Sequence, residues 1–336
     1  MLTAQLTGLR KFTIVEDSLP DPGPGEVQVR VAATGVCGSD MHSYAEGQVG
    51  DSPCHYPMVL GHEPSGVIVK TGPGVTGLSP GDKGALEPAI FCYHCEFCLR
   101  GQHNLCSNLR FMSTPTEPGF FREYVNIPAH NFLPVGPNLT VEEASLMEPI
   151  AIILHTLLLG SFRAGETALV IGAGPIGLLT VAGLKLAGAR RVWVSEPLAH
   201  RREMAKAMGA DAVLDPTHDE PAKAFKPADI AFDCAAKEES VNQCLYAVKP
   251  AGRVVITGIH SECRMPIDVN QMRRNEITIF GVRRSNNESD EARDLLEEHA
   301  SLFVPLITHK RKLEDINKAF ELNEVYGDGV GKMLIV

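Results

Sequence analysis

The 336-residue chain lacks a hydrophobic run long enough to cross a membrane. Its longest apolar stretch, residues 150–159, is interrupted by His155 and falls well short of the roughly 20 residues that span a bilayer. The first dozen residues also lack the apolar core of a signal peptide. We therefore expect a cytoplasmic protein that has no membrane partner.

Basic residues are also in deficit, with 31 Lys and Arg against 41 Asp and Glu and a formal net charge of −10. Without a basic stripe to contact phosphates, the chain is not expected to bind nucleic acid. Hydrophobic residues make up 44% and charged residues 21%, a composition typical of folded rather than disordered chains. A chain of this length favours two domains.

An evenly paired disulfide framework is excluded by the odd number of cysteines, which is nine. Four of them form one cluster, Cys92, Cys95, Cys98 and Cys106. Four thiolates at this spacing can close a tetrahedral zinc site, and no coordination position then remains for a substrate. The usual iron–sulfur spacing is absent. The cluster therefore predicts a structural zinc, with His94 and His103 facing solvent rather than the metal.

The hydrophobic pattern predicts an α/β protein whose first part is rich in strands and whose later part alternates strands with helices. The first third alternates with period two at 27–31 and has a short apolar run at 67–69, and helical signal is scarce before residue 141. Later, predicted strands at 167–171, 191–195, 212–214, 229–232, 253–257 and 277–282 alternate with helical segments such as 178–187, 200–208 and 240–248. This alternation predicts a parallel sheet. Polar helices and a last strand at 332–336 follow.

A glycine-rich segment joins the first of these strands to its helix, in the order Gly172, Ala173, Gly174, Pro175, Ile176, Gly177. The pattern G-x-G-x-x-G between a strand and a helix, with an acid at the end of the next strand, is the dinucleotide-binding fingerprint. That acid is Glu196. The alternative is a glycine-rich turn in another kind of α/β sheet.

The expected cofactor is NAD. Gly172 would make the tight turn, Gly174 would admit the pyrophosphate and Gly177 would allow close helix packing, with the helix N-terminus facing the phosphates. Glu196 would hold both ribose hydroxyls and repel a 2′-phosphate. Arg201 and its neighbour Arg202 lie nearby in the sequence and are the one feature that favours NADP.

Three short segments carry further metal-binding residue types, although they are far apart in the sequence. They are Cys37-Gly38-Ser39-Asp40-Met41-His42, Gly61-His62-Glu63 and Met147-Glu148-Pro149. Each segment alone is weak, because a lone Cys or His is more often a packed residue than a ligand.

Taken with the four-cysteine lobe and the glycine-rich motif, this set resembles the zinc-dependent medium-chain alcohol dehydrogenases, most closely their sorbitol (polyol) dehydrogenase branch. The resemblance extends over essentially the whole chain. It implies a GroES-like, β-rich catalytic domain over 1–146 with the structural zinc lobe at 91–106, a doubly wound Rossmann domain over 147–284, and a return to the catalytic domain at 285–336. It also implies an active site in the cleft and a homo-oligomer, either tetramer or dimer.

The resemblance assigns a second, catalytic zinc to Cys37, His62, Glu63 and Glu148, which makes two zinc ions per subunit. Glu63 is a ligand or holds the zinc-bound water, and Glu148 binds the ion directly or through water. A carboxylate in place of a thiolate makes the ion a harder Lewis acid, which suits a chelating polyol.

Other roles also follow from the resemblance. Ser39 would relay the proton of the alcohol and His42 would pass it to water, although Ser39 and Asp40 could instead form a simple turn. Arg284 would contact the polyol and Tyr44 would line its pocket, with a packed Tyr44 as the equal alternative. The position after Arg284, commonly aromatic in the branch, is Ser285, which puts sorbitol itself in doubt.

The resulting expectation is an NAD-dependent enzyme that interconverts a polyol of the sorbitol or xylitol type and its ketose by hydride transfer. The nearest alternative is L-threonine 3-dehydrogenase, or another zinc alcohol dehydrogenase. A more distant one is a non-catalytic NAD(P)-binding relative, which would be expected to lack Cys37, His62 and the four-cysteine lobe.

Overall fold

The structure, a computed structural model, describes all 336 residues and divides into two units. Unit 1 comprises residues 1–151 and 286–336, and unit 2 comprises residues 152–285. The first boundary between the units falls inside the helix Met147–Leu159. The boundary expected from the sequence, between residues 146 and 147, lies just before this helix. No helix reaches the length and apolarity that crossing a bilayer requires.

Short strands dominate the chain up to the first unit boundary. Its strands are β1 (Leu2–Gly8), β2 (Lys11–Glu16), β3 (Glu26–Gly35), β4 (Gln48–Val49), β5 (Ser52–Pro53), β6 (Glu63–Thr71), β7 (Lys83–Leu86), β8 (Ala89–Ile90), β9 (Arg110–Phe111), β10 (Tyr124–Pro128) and β11 (Phe132–Pro134). Its helices are α1 (Gly38–Glu46), α2 (Glu96–Leu99) and α3 (Met147–Leu159). Helix is scarce before residue 141, as expected, although the sequence pattern did not predict α1 or α2.

Unit 2 alternates strands and helices. Its strands are β12 (Thr167–Ile171), β13 (Arg191–Ser195), β14 (Ala212–Leu214), β15 (Ala228–Asp233), β16 (Val248–Ile256) and β17 (Thr278–Gly281). Its helices are α4 (Pro175–Leu186), α5 (Ala199–Ala207), α6 (Pro221–Ala224), α7 (Ser240–Ala247) and α8 (Val269–Arg274). All six strands are parallel, in the order β14-β13-β12-β15-β16-β17, which is a doubly wound sheet.

The last segment returns to unit 1. It contains α9 (Ser289–Glu298), α10 (Ala300–Phe303), β18 (Ile307–Arg311), α11 (Ile316–Glu324) and β19 (Lys332–Ile335). β19 pairs with β3 at Leu334 opposite Gly35, so the end of the chain joins the first sheet.

The main sheet of unit 1 has seven strands, in the order β11-β7-β6-β3-β19-β18 with β10 paired to β3. Every pair is antiparallel except β18 with β19. Strand β3 lies between β6 and β19 along its last residues, and Gly35 is opposite Glu63. This arrangement brings the end of β3, the start of β6 and the start of β19 together, and the candidate site is built there.

Candidate active site

Cys37 lies between the end of strand β3 and the start of helix α1, as the residue before the first helical turn. The helix forms although Gly, Ser and Asp in its first turn are poor helix formers, because Asp40 accepts a hydrogen bond from the Cys37 backbone amide at 3.0 Å. Gly47 ends the helix in the left-handed region, at φ 73°. The Cys37 side chain is thereby fixed beside strand β6.

His62 and Glu63 stand at the start of β6 and are 6% and 1% exposed. A ligand atom of each lies within 4.8 Å of the other and of the Cys37 sulfur. The structure therefore brings Cys37 next to the consecutive residues His62 and Glu63, which come much later in the sequence. A thiolate, an imidazole and a carboxylate are the donor types that zinc binds in proteins.

The carboxylate of Asp40 lies beside the imidazole of His62. Its Oδ1 lies 3.5 Å from His62 Nδ1 and accepts the Gly61 amide at 3.2 Å. Burial alone would raise the pKa of Asp40, but the positive charge of His62 and the two backbone amides lower it. A carboxylate behind one ring nitrogen leaves the other, Nε2, to face a metal. Asp40 lies in the first turn of helix α1, so it does not belong to a simple turn.

The buried ionisable side chains of this set favour the binding of a cation. Burial alone would lower the pKa of His62, but the negative charges of Asp40 and Cys37 raise it well above its ordinary value. Burial also raises the pKa of Glu148 to about 8, with Glu63 and Glu87 adding to the rise and His62 opposing it. A bound metal ion would favour the ionised carboxylate and the neutral imidazole, which is the state that ligands need.

Glu148 is the second residue of helix α3 and is 5% exposed. Its Oε2 accepts no hydrogen bond from the protein, although a buried carboxylate oxygen normally has a partner. Glu148 is not among the three donors that lie within 4.8 Å of one another. The position suits a carboxylate that reaches the metal through water or moves to bind it.

Ser39 lies next to the donor set, with its hydroxyl 3.4 Å from His62 Nε2. His42, one turn further along α1, places Nδ1 3.0 Å from the Glu46 carboxylate, and its side chain is 23% exposed. The helix thus carries a hydroxyl beside the donors and, three residues later, an imidazole that reaches solvent.

Tyr44 is packed into the core and is 1% exposed. Its ring lies 5.9 Å from that of Phe12 and 5.0 Å from that of Phe320. Burial raises the pKa of its hydroxyl, and the nearby charges of Glu321 and Glu324 add to the rise. Tyr44 is therefore a packed core residue, which was the alternative interpretation, and we do not assign it to the substrate pocket.

The four cysteines of the lobe converge as the spacing predicts. All four sulfur atoms lie within 4.8 Å of one another, with Cys106 3.4 Å and Cys98 4.0 Å from the sulfur of Cys92. Sulfurs bound to one tetrahedral zinc are about 3.8 Å apart, since each Zn–S bond is about 2.3 Å. The geometry fits a zinc ion, whereas disulfide sulfurs would be about 2 Å apart.

The two histidines of the lobe differ. His94 is exposed, whereas His103 is half-buried and packs its ring 5.4 Å from Phe91 and 5.5 Å from Tyr93. The expectation that His103 faces solvent is therefore wrong, because the aromatic side chains of the lobe cover it.

Unit 2 places the glycine-rich segment between β12 and α4. A Cβ on Gly177 would overlap the Gly172 carbonyl oxygen, so the helix packs directly on the turn. At Gly174 the nearest atom to such a Cβ is Nη1 of Arg201, 3.8 Å away, which leaves one side of the loop open. Pro175 and Ile176 begin α4. The open loop before a helix N-terminus fits a pyrophosphate.

Glu196 follows β13 and is 4% exposed. Its two carboxylate oxygens accept the backbone amides of Ala173 at 2.6 Å and Leu198 at 2.9 Å. Arg202, one of the two arginines that could favour NADP, is already bonded to the Glu196 and Pro197 carbonyls and lies 2.9 Å from Asp215. Its guanidinium is therefore less available to a 2′-phosphate than the sequence alone suggests.

Arg284 lies three residues after β17, is half-buried and has left-handed backbone geometry at φ 56°. It belongs to unit 2, whereas Cys37, His62, Glu63 and Glu148 belong to unit 1. Its predicted contact with substrate stays a prediction.

Sequence reasoning missed Lys332, which lies beside the donor set. Its ammonium forms an ion pair with Oε2 of Glu63, and the side chain is 2% exposed. The signal was a lone charge at the start of the otherwise apolar last strand.

Comparison with known proteins finds two family matches and close relatives along most of the chain. Residues 23–137 match the alcohol dehydrogenase GroES-like domain and residues 175–300 the zinc-binding dehydrogenase domain. L-threonine 3-dehydrogenase of Pyrococcus horikoshii is 36% identical over 319 residues, 92% of this chain and 91% of that protein. Human sorbitol dehydrogenase is 34% identical over 327 residues, 95% of this chain and 90% of that protein.

Solved structures show the same fold. A zinc-binding dehydrogenase from Sinorhizobium meliloti 1021 bound to NADP has a TM-score of 0.92 and 29% identity, covering 100% of this chain and 98% of that one. An alcohol dehydrogenase from E. coli CFT073 complexed with NADH has a TM-score of 0.89 and 30% identity, covering 100% and 99%. The predicted combination of a GroES-like domain and a Rossmann domain is confirmed.

Proposed function

This chain belongs to the zinc-dependent medium-chain alcohol dehydrogenases, and we propose on that basis that it oxidises a secondary hydroxyl of a polyol to a ketose with NAD. The enzyme class, an NAD-dependent zinc alcohol dehydrogenase, follows from the family. The observation that carries the proposed site is the buried set of Cys37, His62 and Glu63, whose ligand atoms lie within 4.8 Å of one another.

Cys37, His62 and Glu63 would hold the catalytic zinc, with Glu148 beside it. Zinc bound there supplies a Lewis acid that lowers the pKa of the substrate hydroxyl. Asp40 keeps the His62 ring in place through its 3.5 Å contact with Nδ1. Cys92, Cys95, Cys98 and Cys106 would hold the second, structural ion.

Oxidation of the alcohol removes one hydride from carbon and one proton from oxygen. In our proposal Ser39, whose hydroxyl lies 3.4 Å from His62 Nε2, accepts the substrate proton at Oγ and passes its own hydroxyl proton on toward His42. His42 is the residue of the same helix that would release a proton to water, since its partly exposed ring pairs with Glu46. The hydride goes to the nicotinamide of NAD, whose redox chemistry belongs to the cofactor.

The loop of Gly172, Gly174 and Gly177, with Pro175 and Ile176 at the helix start, would hold the cofactor phosphates in unit 2. Arg201 stands next to the open side of Gly174 and would add a positive charge there. We propose that Glu196 binds the adenosine ribose, which disfavours the 2′-phosphate of NADP.

A polyol suits the charges around the donor set. Cys37, Glu63 and Glu148 are anionic when they bind a metal, and the cation beside them, Lys332, is paired with Glu63. A neutral substrate with several hydroxyls can donate hydrogen bonds to these carboxylates. Glu148, whose Oε2 accepts nothing from the protein, is the acceptor that we assign to a second hydroxyl.

L-Threonine is the second candidate substrate, since the relatives include threonine 3-dehydrogenases at 36% identity. Its ammonium group would find carboxylates at the site. Its carboxylate, however, would meet the same anionic groups, and Arg284 is the cation predicted to face it. This mismatch is why we place the polyol first.

A substrate panel followed by NADH absorbance tests the proposal. Sorbitol, xylitol, 2,3-butanediol, L-threonine and a simple secondary alcohol are compared by kcat/KM with purified enzyme. The proposal predicts the highest value for a polyol or diol. A higher value for L-threonine than for every polyol would transfer the assignment to the second candidate.

A further inference from the structure

A fully buried lysine lies beside the candidate metal donors. Lys332 begins β19, its side chain is 2% exposed, and its ammonium pairs with Oε2 of Glu63, which is 1% exposed. Lysine is rarely buried this completely, because an ammonium loses its hydration unless a partner replaces the water. Its burial next to a predicted metal ligand therefore indicates a role at the metal site.

The groups around Lys332 are all anionic when a metal is bound. The ammonium of Lys332 and the carboxylate of Glu63 are buried together as an ion pair, which is the arrangement in which two buried groups of opposite charge both stay ionised. The three anionic donors Cys37, Glu63 and Glu148 exceed the double charge of a zinc ion by one unit, and the ammonium of Lys332 offsets that unit.

The fold makes room for this pair. Gly35 of β3 is paired with Glu63 of β6, and the neighbouring strand on its other side is β19, which begins at Lys332. A Cβ on Gly35 would overlap Oε2 of Glu63 and lie 2.8 Å from Cε of Lys332. The absence of a side chain at Gly35 therefore leaves room for the ion pair.

We propose that Lys332 is a positioning residue that draws Oε2 of Glu63 away from the catalytic zinc and balances the charge of its donor set. The inference rests on the proposed catalytic zinc. With the ammonium present, one carboxylate oxygen is occupied and one position on the ion stays open for the substrate. Without it, both oxygens of Glu63 are available to the ion, and an additional anionic oxygen from the substrate meets a site with excess negative charge.

Lys332→Met removes the charge while keeping an unbranched side chain. The expected result is a protein that still binds two metal ions but has a kcat for alcohol oxidation lower by on the order of 10- to 100-fold, the effect of losing one charged hydrogen-bond partner. Cobalt substitution at the catalytic site supplies a readout that needs no substrate. The variant should show weaker visible absorption, as a cobalt ion gains a fifth ligand from Glu63.

The double variant Lys332→Met/Glu63→Gln distinguishes charge balance from simple packing. It removes one charge of each sign, so the cobalt spectrum should return toward that of the wild type and kcat should exceed that of Lys332→Met by about fivefold or more. If Lys332 only fills space, the two substitutions would reduce kcat additively, and that result would overturn the proposal.

Glu63→Gln alone provides a second test if Lys332→Met does not fold. It leaves the ammonium unpaired, so inhibition by azide should strengthen about tenfold, whereas unchanged inhibition would contradict the charge-balance role. Lys249→Met, which breaks the ion pair with Asp229 in unit 2, is the matched control and should leave the cobalt spectrum unchanged. Failure of the proposed function would appear separately, as an unmodified protein that oxidises no alcohol.

Discussion

At the scale of single residues, Ser39 is the side chain on which the proposed proton transfer depends. Its hydroxyl is 3.4 Å from His62 Nε2, beside the donor set. Replacing Ser39 with Ala should lower kcat by about 100-fold, the usual contribution of a positioned proton-transfer group, and leave zinc content unchanged. Ser43→Ala, one turn further along α1, is the control. Equal activity of the two variants would remove Ser39 from the relay.

Glu196 is the residue that we propose sets the choice of cofactor. Because its carboxylate would face the 2′-phosphate of NADP, kcat/KM should favour NAD by about 100-fold or more in the wild type. Glu196→Gln should reduce that preference to within about tenfold. Steady-state kinetics with both cofactors measures it, and equal efficiencies in the wild type would show that Arg201 dominates instead.

Arg284 is the residue-level test of the polyol. Arg284→Ala should reduce kcat/KM for a polyol by roughly 5- to 150-fold, since one donor to a substrate hydroxyl is worth about 1–3 kcal/mol in a closed site. A simple secondary alcohol has no such hydroxyl and should react nearly as before. A parallel loss for both substrates would show that Arg284 acts outside the substrate site.

At the scale of elements, Asp211 ties two elements of unit 2 to the chain before β14. It accepts the Val192 amide of β13 at 2.8 Å and the ammonium of Lys185 of α4 at 3.1 Å. Burial alone would raise the pKa of Asp211, but the amide and the ammonium lower it. A carboxyl whose pKa is lower in the folded state stabilises the fold above its ordinary pKa, and this contribution is lost as pH falls through the folded value.

Asp211→Asn should therefore lower the free energy of unfolding by about 0.5–1 kcal/mol at pH 7, because the carboxylate is partly exposed and screened. The difference from the wild type should shrink as pH falls below about 4 and disappear in more acidic solution. Urea unfolding across this pH range measures it, with exposed Asp219→Asn as the control. A difference that persists at low pH would mean that shape rather than charge is responsible.

The elements differ in how well the sequence predicts them. Strands β12, β13 and β14 begin and end at the predicted residues, because apolar runs bounded by turns mark buried parallel strands. Helix α1 was missed, since its first turn of Gly38, Ser39 and Asp40 has low helix propensity. What holds it is the bond from the Cys37 amide to Asp40 and the left-handed Gly47 at its end.

The candidate site, too, was predicted from the sequence only in part. The residue types and motifs pointed to Cys37, His62 and Glu63 one by one, but only the strand pairing brings them within 4.8 Å. The ion pair between Lys332 and Glu63 was not visible in the sequence, because it depends on β3 lying between β6 and β19. Long-range pairing of this kind leaves no local pattern.

At the scale of the whole molecule, the two units separate the two kinds of binding that the reaction needs. Both candidate zinc sites lie in unit 1, and the glycine-rich loop with Glu196 lies in unit 2. The four-cysteine lobe is saturated by its thiolates, whereas the set of Cys37, His62 and Glu63 supplies only three close donors. One site can therefore stabilise the fold while the other keeps a position for substrate.

Zinc content measured on the wild type and on Cys37→Ala, with alcohol oxidation followed in the same samples, tests the proposed catalytic zinc most directly. We predict two zinc ions per chain in the wild type and one in the variant. The remaining ion should sit in the lobe, the protein should stay folded, and oxidation of every alcohol should be lost. A Cys37→Ala protein that keeps both ions and oxidises alcohols at the wild-type rate would contradict the assignment of the catalytic zinc.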